Sequence, residues 1–149
     1  MEEMADPDLS RLLLEAHRAL GAELVATLEE RGYPDARPSH VSLFMHIDRR
    51  SGTRLTELAR RARITKQGMM LLVDDLEERG YLRRVPDAED SRAKVVRLTA
   101  KGRRYVAEGR RVVTALEARA RRELGDRRYE TLRGALEELI ELGGESPEE

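Results

Sequence analysis

The chain has no cysteine, no tryptophan and a single phenylalanine in 149 residues. Without thiols there are no disulfides, no thiolate metal ligands and no cysteine-based redox sensing, which fits a reducing cytoplasm. Aromatics make up only 3%, while the 40% of hydrophobic residues are mostly Leu, Val and Ala. That favours helices packed by aliphatic side chains over an all-β fold. No apolar run approaches the length needed to span a bilayer. The opening MEEMADPD is acidic and lacks a hydrophobic region, so it does not read as a secretory signal. There is no phosphate-binding Gly-rich loop, no HExxH, no G-x-S-x-G and no cysteine nucleophile. Carboxylates cluster in solvated helical runs such as Asp74-Asp75 and Glu77-Glu78, and an enzyme is not expected.

What the chain has in abundance is charge, at 38% of residues, and the net value of −1 conceals its segregation. Met1–Asp48 carries roughly −6, Arg49–Arg122 roughly +11 and Glu123–Glu149 roughly −6. The length suits one domain with a real core. The basic middle by itself could be a solvated face; together with the helices and hairpin that its residues predict, it makes duplex DNA the leading partner.

Apolar positions at Leu9, Leu12, Leu13, Ala16, Leu20, Leu24 and Leu28 predict a first helix from Asp6-Pro7 to Gly32. After a linker over Tyr33–Pro38, Ser39 is the expected cap of a second helix carrying Val41, Leu43, Phe44 and Ile47, ending near Ser51-Gly52. Thr56 and Thr65 are expected to cap helices running through Ala62 and Arg79, joined by about three residues, the spacing of a helix-turn-helix. Tyr81–Val85 and Lys94–Leu98 have β-character and flank the turn-rich PDAEDSR, predicting a hairpin, or wing. Thr99 caps a fifth helix to about Arg122, and Asp126 starts a sixth to about Leu142.

The expected fold is mainly α with a small β-hairpin wing: a winged helix-turn-helix over 39–99, plus a helical dimerisation module from 1–38 and 100–144. Residues 145–149 are expected to be a disordered tail. Dimers of this kind pair two reading heads with palindromic half-sites.

The fourth helix buries Ile64, Met69, Leu72, Val73 and Leu76, leaving Thr65, Lys66 and Gln67 to face outward. Such a helix enters the major groove with its first turn at base edges. Gln67 has the donor–acceptor pair for adenine, and Lys66 reaches guanine acceptors or a phosphate. Thr65 either contacts DNA or simply caps the helix, and Gly68 permits close approach to the DNA backbone. In the wing, an Arg at the position of Arg92 can enter a narrow minor groove, with Asp90 holding either that Arg or the turn itself. Arg83, Arg84, Lys94 and Arg97 along the wing, and Arg54, Arg60, Arg61 and Arg63 before the recognition helix, are expected phosphate contacts, setting affinity and register but not sequence choice.

These residues carry a family resemblance. LTELARRARITKQGMMLLVDDLEERGYLRR followed by PDAEDSRAKVVRLTAKG resembles the winged helix-turn-helix of the MarR family of bacterial transcriptional regulators. Asp90-Ser91-Arg92, the preceding Pro86-Asp87, Leu98-Thr99 and Lys101-Gly102 are together quite specific. The resemblance implies an obligate dimer, recognition helices in successive major grooves and wing arginines in the minor groove. It also implies, for many members, release of DNA when a small, often aromatic anion binds between the dimer and reading modules. Two departures stand out. Met70 and Leu71 occupy recognition-helix positions that are commonly polar or small in the family; they pack on thymine methyls, on the wing, or are tolerated at a surface. The family's redox-sensing branch uses an N-terminal cysteine, which this chain lacks.

A ligand pocket is expected where the first, second and fifth helices meet the reading head, with His17, His40, Phe44, Met45 and His46 as lining residues by position. No metal or cofactor is expected: His40 and His46 are six apart, not at the i, i+4 spacing of a metal pair. The expectation is a cytoplasmic homodimeric regulator, probing DNA as a repressor with a small-molecule effector. The alternative is a winged helix turned into a protein-interaction module.

Overall fold

Asp8, rather than Asp6, caps the first helix, its carboxylate accepting from the Arg11 amide at 2.8 Å. In the computed structural model, which describes residues 6–144, this helix (α1) covers Leu9–Glu30. The expected tail over 145–149 lies outside the described residues. The second helix (α2) covers Pro38–His46. It begins one residue before Ser39 because Pro38, with its preset φ, occupies the first turn behind an extended Arg37 that makes no side-chain cap. It also stops earlier than expected. Asp48 folds the following segment into a turn, its carboxylate accepting from the Arg50 and Ser51 amides at 2.8 Å each.

That turn delivers a strand the hydrophobic pattern did not reveal, β1 at Thr53–Arg54. Arg54 is extended and leads straight into α3 (Leu55–Ala62), so the expected Thr56 cap falls inside the helix. The recognition helix, α4, covers Lys66–Glu78 and is stopped at Gly80, whose φ of 82° suits glycine. Strands β2 (Leu82–Pro86) and β3 (Lys94–Leu98) form the wing, with Leu82 opposite Leu98 and Pro86 opposite Lys94. Since β1 pairs antiparallel to β3, the sheet has three strands in the order β1-β3-β2. Helix α5 (Ala100–Leu124) is capped by Thr99, whose hydroxyl accepts from the Gly102 amide, and α6 covers Asp126–Gly144.

The chain divides into two compact units within α5, at Val112/Val113. The core of the first combines Leu24 and Leu28 of α1, Leu43 and Phe44 of α2, Leu58 of α3, and Met69, Val73 and Leu76 of α4. Leu82, Val96 and Leu98 of the sheet and Tyr105 of α5 complete it. Scarce aromatics are concentrated here: the Tyr105 ring lies 4.9 Å from both Phe44 and Tyr81 and 5.2 Å from Tyr33, centroid to centroid. Edge and tilted contacts of this kind add to the area they bury. In the second unit, Arg121 bonds Asp126 at 3.0 Å and also Glu130, and its guanidinium lies 4.5 Å over the buried Tyr129 ring.

Candidate nucleic-acid interface

Helices α3 and α4 are joined through Arg63, which adopts the left-handed conformation with φ of 54°. The Ile64 amide returns to the Ala59 carbonyl at 3.1 Å, closing α3. Thr65 then caps α4, its hydroxyl oxygen accepting from the Gly68 amide at 3.0 Å. A Cβ at Gly68 would sit 3.0 Å from that same oxygen, which gives the glycine a role inside the cap.

Beyond the cap, α4 is two-faced. Met69, Val73 and Leu76 are fully buried, while Lys66, Gln67, Met70, Leu71 and Asp74 are exposed. Neither Lys66 nor Gln67 has a side-chain partner among the described residues.

The back and far end of α4 are braced. Arg84 on β2 donates to Asp74 at 2.5 Å and to Glu77 at 2.8 Å, and its amide donates to Glu77 at 2.9 Å. Asp75 accepts from His40 Nε2 and from Arg79, both at 2.9 Å. Burial disfavours charge on Asp75, but Arg79 and His40 outweigh it and hold the carboxyl below the ordinary carboxylate range. Arg79 also lies 3.5 Å from Asp35, which accepts from the Tyr81 hydroxyl at 2.7 Å. Lys101 donates to the Arg79 carbonyl at 2.8 Å with its ammonium 4.3 Å over the Tyr81 ring.

In the wing turn, Asp90 holds the backbone and not the guanidinium: its carboxylate accepts from the Arg92 amide at 3.0 Å. Asp87 does the same for Glu89 at 3.0 Å, and the Asp87 amide donates to the Ala93 carbonyl at 2.9 Å. The Arg92 side chain is exposed and, among the described residues, has no partner.

Five of the expected phosphate ligands have other partners. Arg54 reaches Asp87 through Nε at 2.8 Å and Nη2 at 2.6 Å, and Arg84 forms the brace to α4. Both guanidiniums have a carboxylate within reach and act inside the protein as struts. Arg60 and Arg61 similarly converge on Glu57, lowering its pKa to about 2 through their hydrogen bonds. Arg97 donates to the Arg50 carbonyl at 2.6 Å. Arg63, Arg83 and Lys94 stay exposed with no side-chain partner among the described residues. Cross-strand pairing puts Arg83 with Arg97 on one face of the wing, whereas Arg84 points to α4 from the other.

The five expected pocket residues have different surroundings. His17 is exposed on α1 and Met45 is 71% exposed, whereas Phe44 joins the aromatic core. His40 is 1% exposed and spends its Nε2 on Asp75, and His46 is half-buried at the end of α2. His40 thus belongs to the brace of the recognition helix. Two cavities have other linings. One of about 310 Å³ is lined by Arg49, Leu98, Arg103, Val106, Ala107 and Arg110. Another of about 680 Å³ lies between the wing and β1, where Arg54, Arg61 and Arg97 alternate with Asp48, Glu57, Asp87 and Glu89. Among the described residues, no three His, Asp or Glu side chains assemble as a metal site, and no helix is long and apolar enough to cross a membrane.

Comparisons with known proteins agree on one group. The profile of the MarR family matches residues 35–93. The HTH-type transcriptional repressor Rv2887 of Mycobacterium tuberculosis is 31% identical over 134 residues, covering 90% of this chain and 94% of that protein. Among solved structures, the repressor CouR bound to a 23-mer DNA duplex superposes with a TM-score of 0.74 at 24% identity, covering 89% of this chain and 92% of that one. CouR from Rhodococcus jostii RHA1 bound to p-coumaroyl-CoA gives 0.72 at 24% identity, covering 93% and 95%. At that identity the two structures speak for the fold.

Proposed function

The chain belongs to the MarR family, and we propose that it is a sequence-specific DNA-binding transcriptional regulator, a repressor that binds a palindromic operator as a homodimer. The observation that carries this reading is a set of side chains on one braced lobe that have no partner among the described residues: Lys66 and Gln67 on the first turn of α4, and Arg92 at the wing tip. In this reading α4 lies in the major groove, with Gln67 on adenine and Lys66 on guanine or a phosphate. Arg92 enters the minor groove, where A·T tracts deepen the negative potential. Arg63, Arg83 and Lys94 reach phosphates, while Arg54 and Arg84 hold wing and helix in register.

Homodimerisation is supported by apolar surface on the flanking helices. Leu9, Leu12, Leu14 and Leu20 of α1 are about half exposed, and Leu139, Ile140 and Leu142 of α6 are 40%, 70% and 67% exposed. Such rows mark contact surfaces. Within this reading, 1–38 and 100–144 serve the dimer and 39–99 reads DNA. A small-molecule effector is part of the proposal. The cavity lined by Arg49, Leu98, Arg103, Val106, Ala107 and Arg110 is largely apolar and has three arginines and no acidic residue in its lining, which suits an apolar anion. The role is non-enzymatic and cytoplasmic.

Selection of bound duplexes from a random DNA pool, at near-physiological salt, tests the reading. A palindrome with half-sites about one helical turn apart is the expected result. Recovery of no motif, with weak binding that vanishes as salt rises, would instead favour a protein-interaction module.

A further inference from the structure

The polar residues at the start of α4 account for only part of its outward surface. Asp74, Asp75, Glu77 and Glu78 make the second half of the helix acidic, and phosphates repel it. The surface able to approach base edges therefore runs from Thr65 to Leu71. Within it the Thr65 hydroxyl accepts the cap bond and Met69 is fully buried. Besides Thr65, the exposed side chains are Lys66, Gln67, Met70 at 43% and Leu71 at 63%. Met70 follows Lys66 by one turn and Leu71 follows Gln67 by one turn, so each polar side chain has an apolar neighbour on its own stripe.

A single exposed leucine on a protein surface needs no explanation. Two adjacent apolar side chains, continuous with the polar readers on a helix whose core face is already filled, form a surface with a definite chemistry. In the major groove the apolar feature of a base edge is the C5-methyl group of thymine. We infer that Met70 and Leu71 read thymine methyls, making them specificity-determining residues alongside Lys66 and Gln67. This rests on the DNA-binding reading above. It adds that each half-site contains thymines whose methyl, rather than any hydrogen-bonding group, is recognised.

Replacing thymidine by deoxyuridine removes that methyl and leaves every hydrogen-bonding group in place. The experiment measures binding of the full-length protein to its selected operator, by fluorescence anisotropy, with thymidines replaced one at a time. The expected result is a loss of about fourfold per methyl at one or two positions in each half-site, the size set by burying one carbon. In Met70→Gln and Leu71→Gln the thymidine-to-deoxyuridine ratio at those positions should fall to one. Glutamine suits an exposed helix position, and an unchanged thermal melt would certify the fold.

Operator binding that ignores deoxyuridine at every position, or a ratio that survives in both variants, would overturn the inference and leave the DNA-binding reading standing. Absence of binding to any duplex would overturn both.

Discussion

His40 Nε2 donates to Asp75 Oδ2 at 2.9 Å, tying a ring that is 1% exposed on α2 to the inner side of the recognition helix. An ionised carboxylate only accepts, so the neutral imidazole carries its proton on Nε2. The same carboxylate takes Arg79, and Arg79 reaches Asp35, which the Tyr81 hydroxyl also holds. The orientation of α4 is thus set by a connected polar path from α2 to the base of the wing. A path of this kind is costly to leave half satisfied.

Burial holds the His40 pKa below its ordinary 6.5, the bond to Asp75 offsetting this only in part. The unfolded chain therefore takes up a proton at a pH where the native protein does not. Stability present at neutral pH is lost as pH falls through about 6.5 toward the folded value. Thermal melts between pH 7.5 and 5 should show a falling Tm in the parent protein. His40→Gln keeps a donor for Asp75 but does not titrate, so its profile should be flatter. Equal slopes in the two proteins would remove His40 as the source.

Arg84 joins wing to recognition helix through Asp74 and Glu77. Its partners are 56% and 39% exposed, so solvent screens the pair and the stability it supplies is modest. Arg84→Ala should lower stability by about 1 kcal/mol, or roughly 3 °C in Tm. Its larger consequence should be functional, since the wing and helix would no longer hold a fixed spacing. Operator affinity should drop well beyond the stability change while the salt slope stays constant, because no phosphate contact is lost. A salt slope reduced by about one would instead return Arg84 to the phosphates.

Much of the fold was legible in the residues that perform local chemistry. Thr65 and Thr99 cap α4 and α5 as their positions suggested, and the β-character of Lys94–Leu98 marked β3. Strand β1 was invisible because two residues give no periodicity; it exists through pairing of Thr53 with Val96 and Arg54 with Val95. Ser39 was a plausible cap overridden by Pro38. At the candidate site, sequence could show that Arg54 and Arg84 are cationic but not that Asp87, Asp74 and Glu77 stand within reach. That information is tertiary. The bond from His40 to Asp75, 35 positions away, was hidden for the same reason.

Gly102 packs the start of α5 against the segment entering β2. A Cβ there would lie 2.1 Å from the Tyr81 carbonyl oxygen and 3.1 Å from its carbon, a clash with backbone that no rotamer relieves. The same carbonyl accepts from the Thr99 amide at 3.0 Å, so it has little freedom to retreat. Gly102→Ala should therefore cost about 1–3 kcal/mol despite the higher helix propensity of alanine. Urea denaturation would measure it. A stabilised variant would mean that α5 and Tyr81 separate more readily than this close packing implies.

Arg92 and Asp90 have separable tasks, and three variants distinguish them. Arg92→Ala removes an exposed side chain with no partner among the described residues, so Tm should not move while operator affinity falls by about 1–3 kcal/mol. Asp90 acts on the backbone, accepting from the Arg92 amide, and does not touch the guanidinium. Asp90→Asn keeps an acceptor for that amide and removes a negative charge near phosphates, so binding should be equal or tighter. Asp90→Ala loses the acceptor, loosens the turn and should weaken binding in the same direction as Arg92→Ala. Affinities measured on one operator at several salt concentrations would decide the matter. If Asp90→Ala bound as tightly as Asp90→Asn, charge alone would matter at that position, and the turn would hold its shape without the carboxylate.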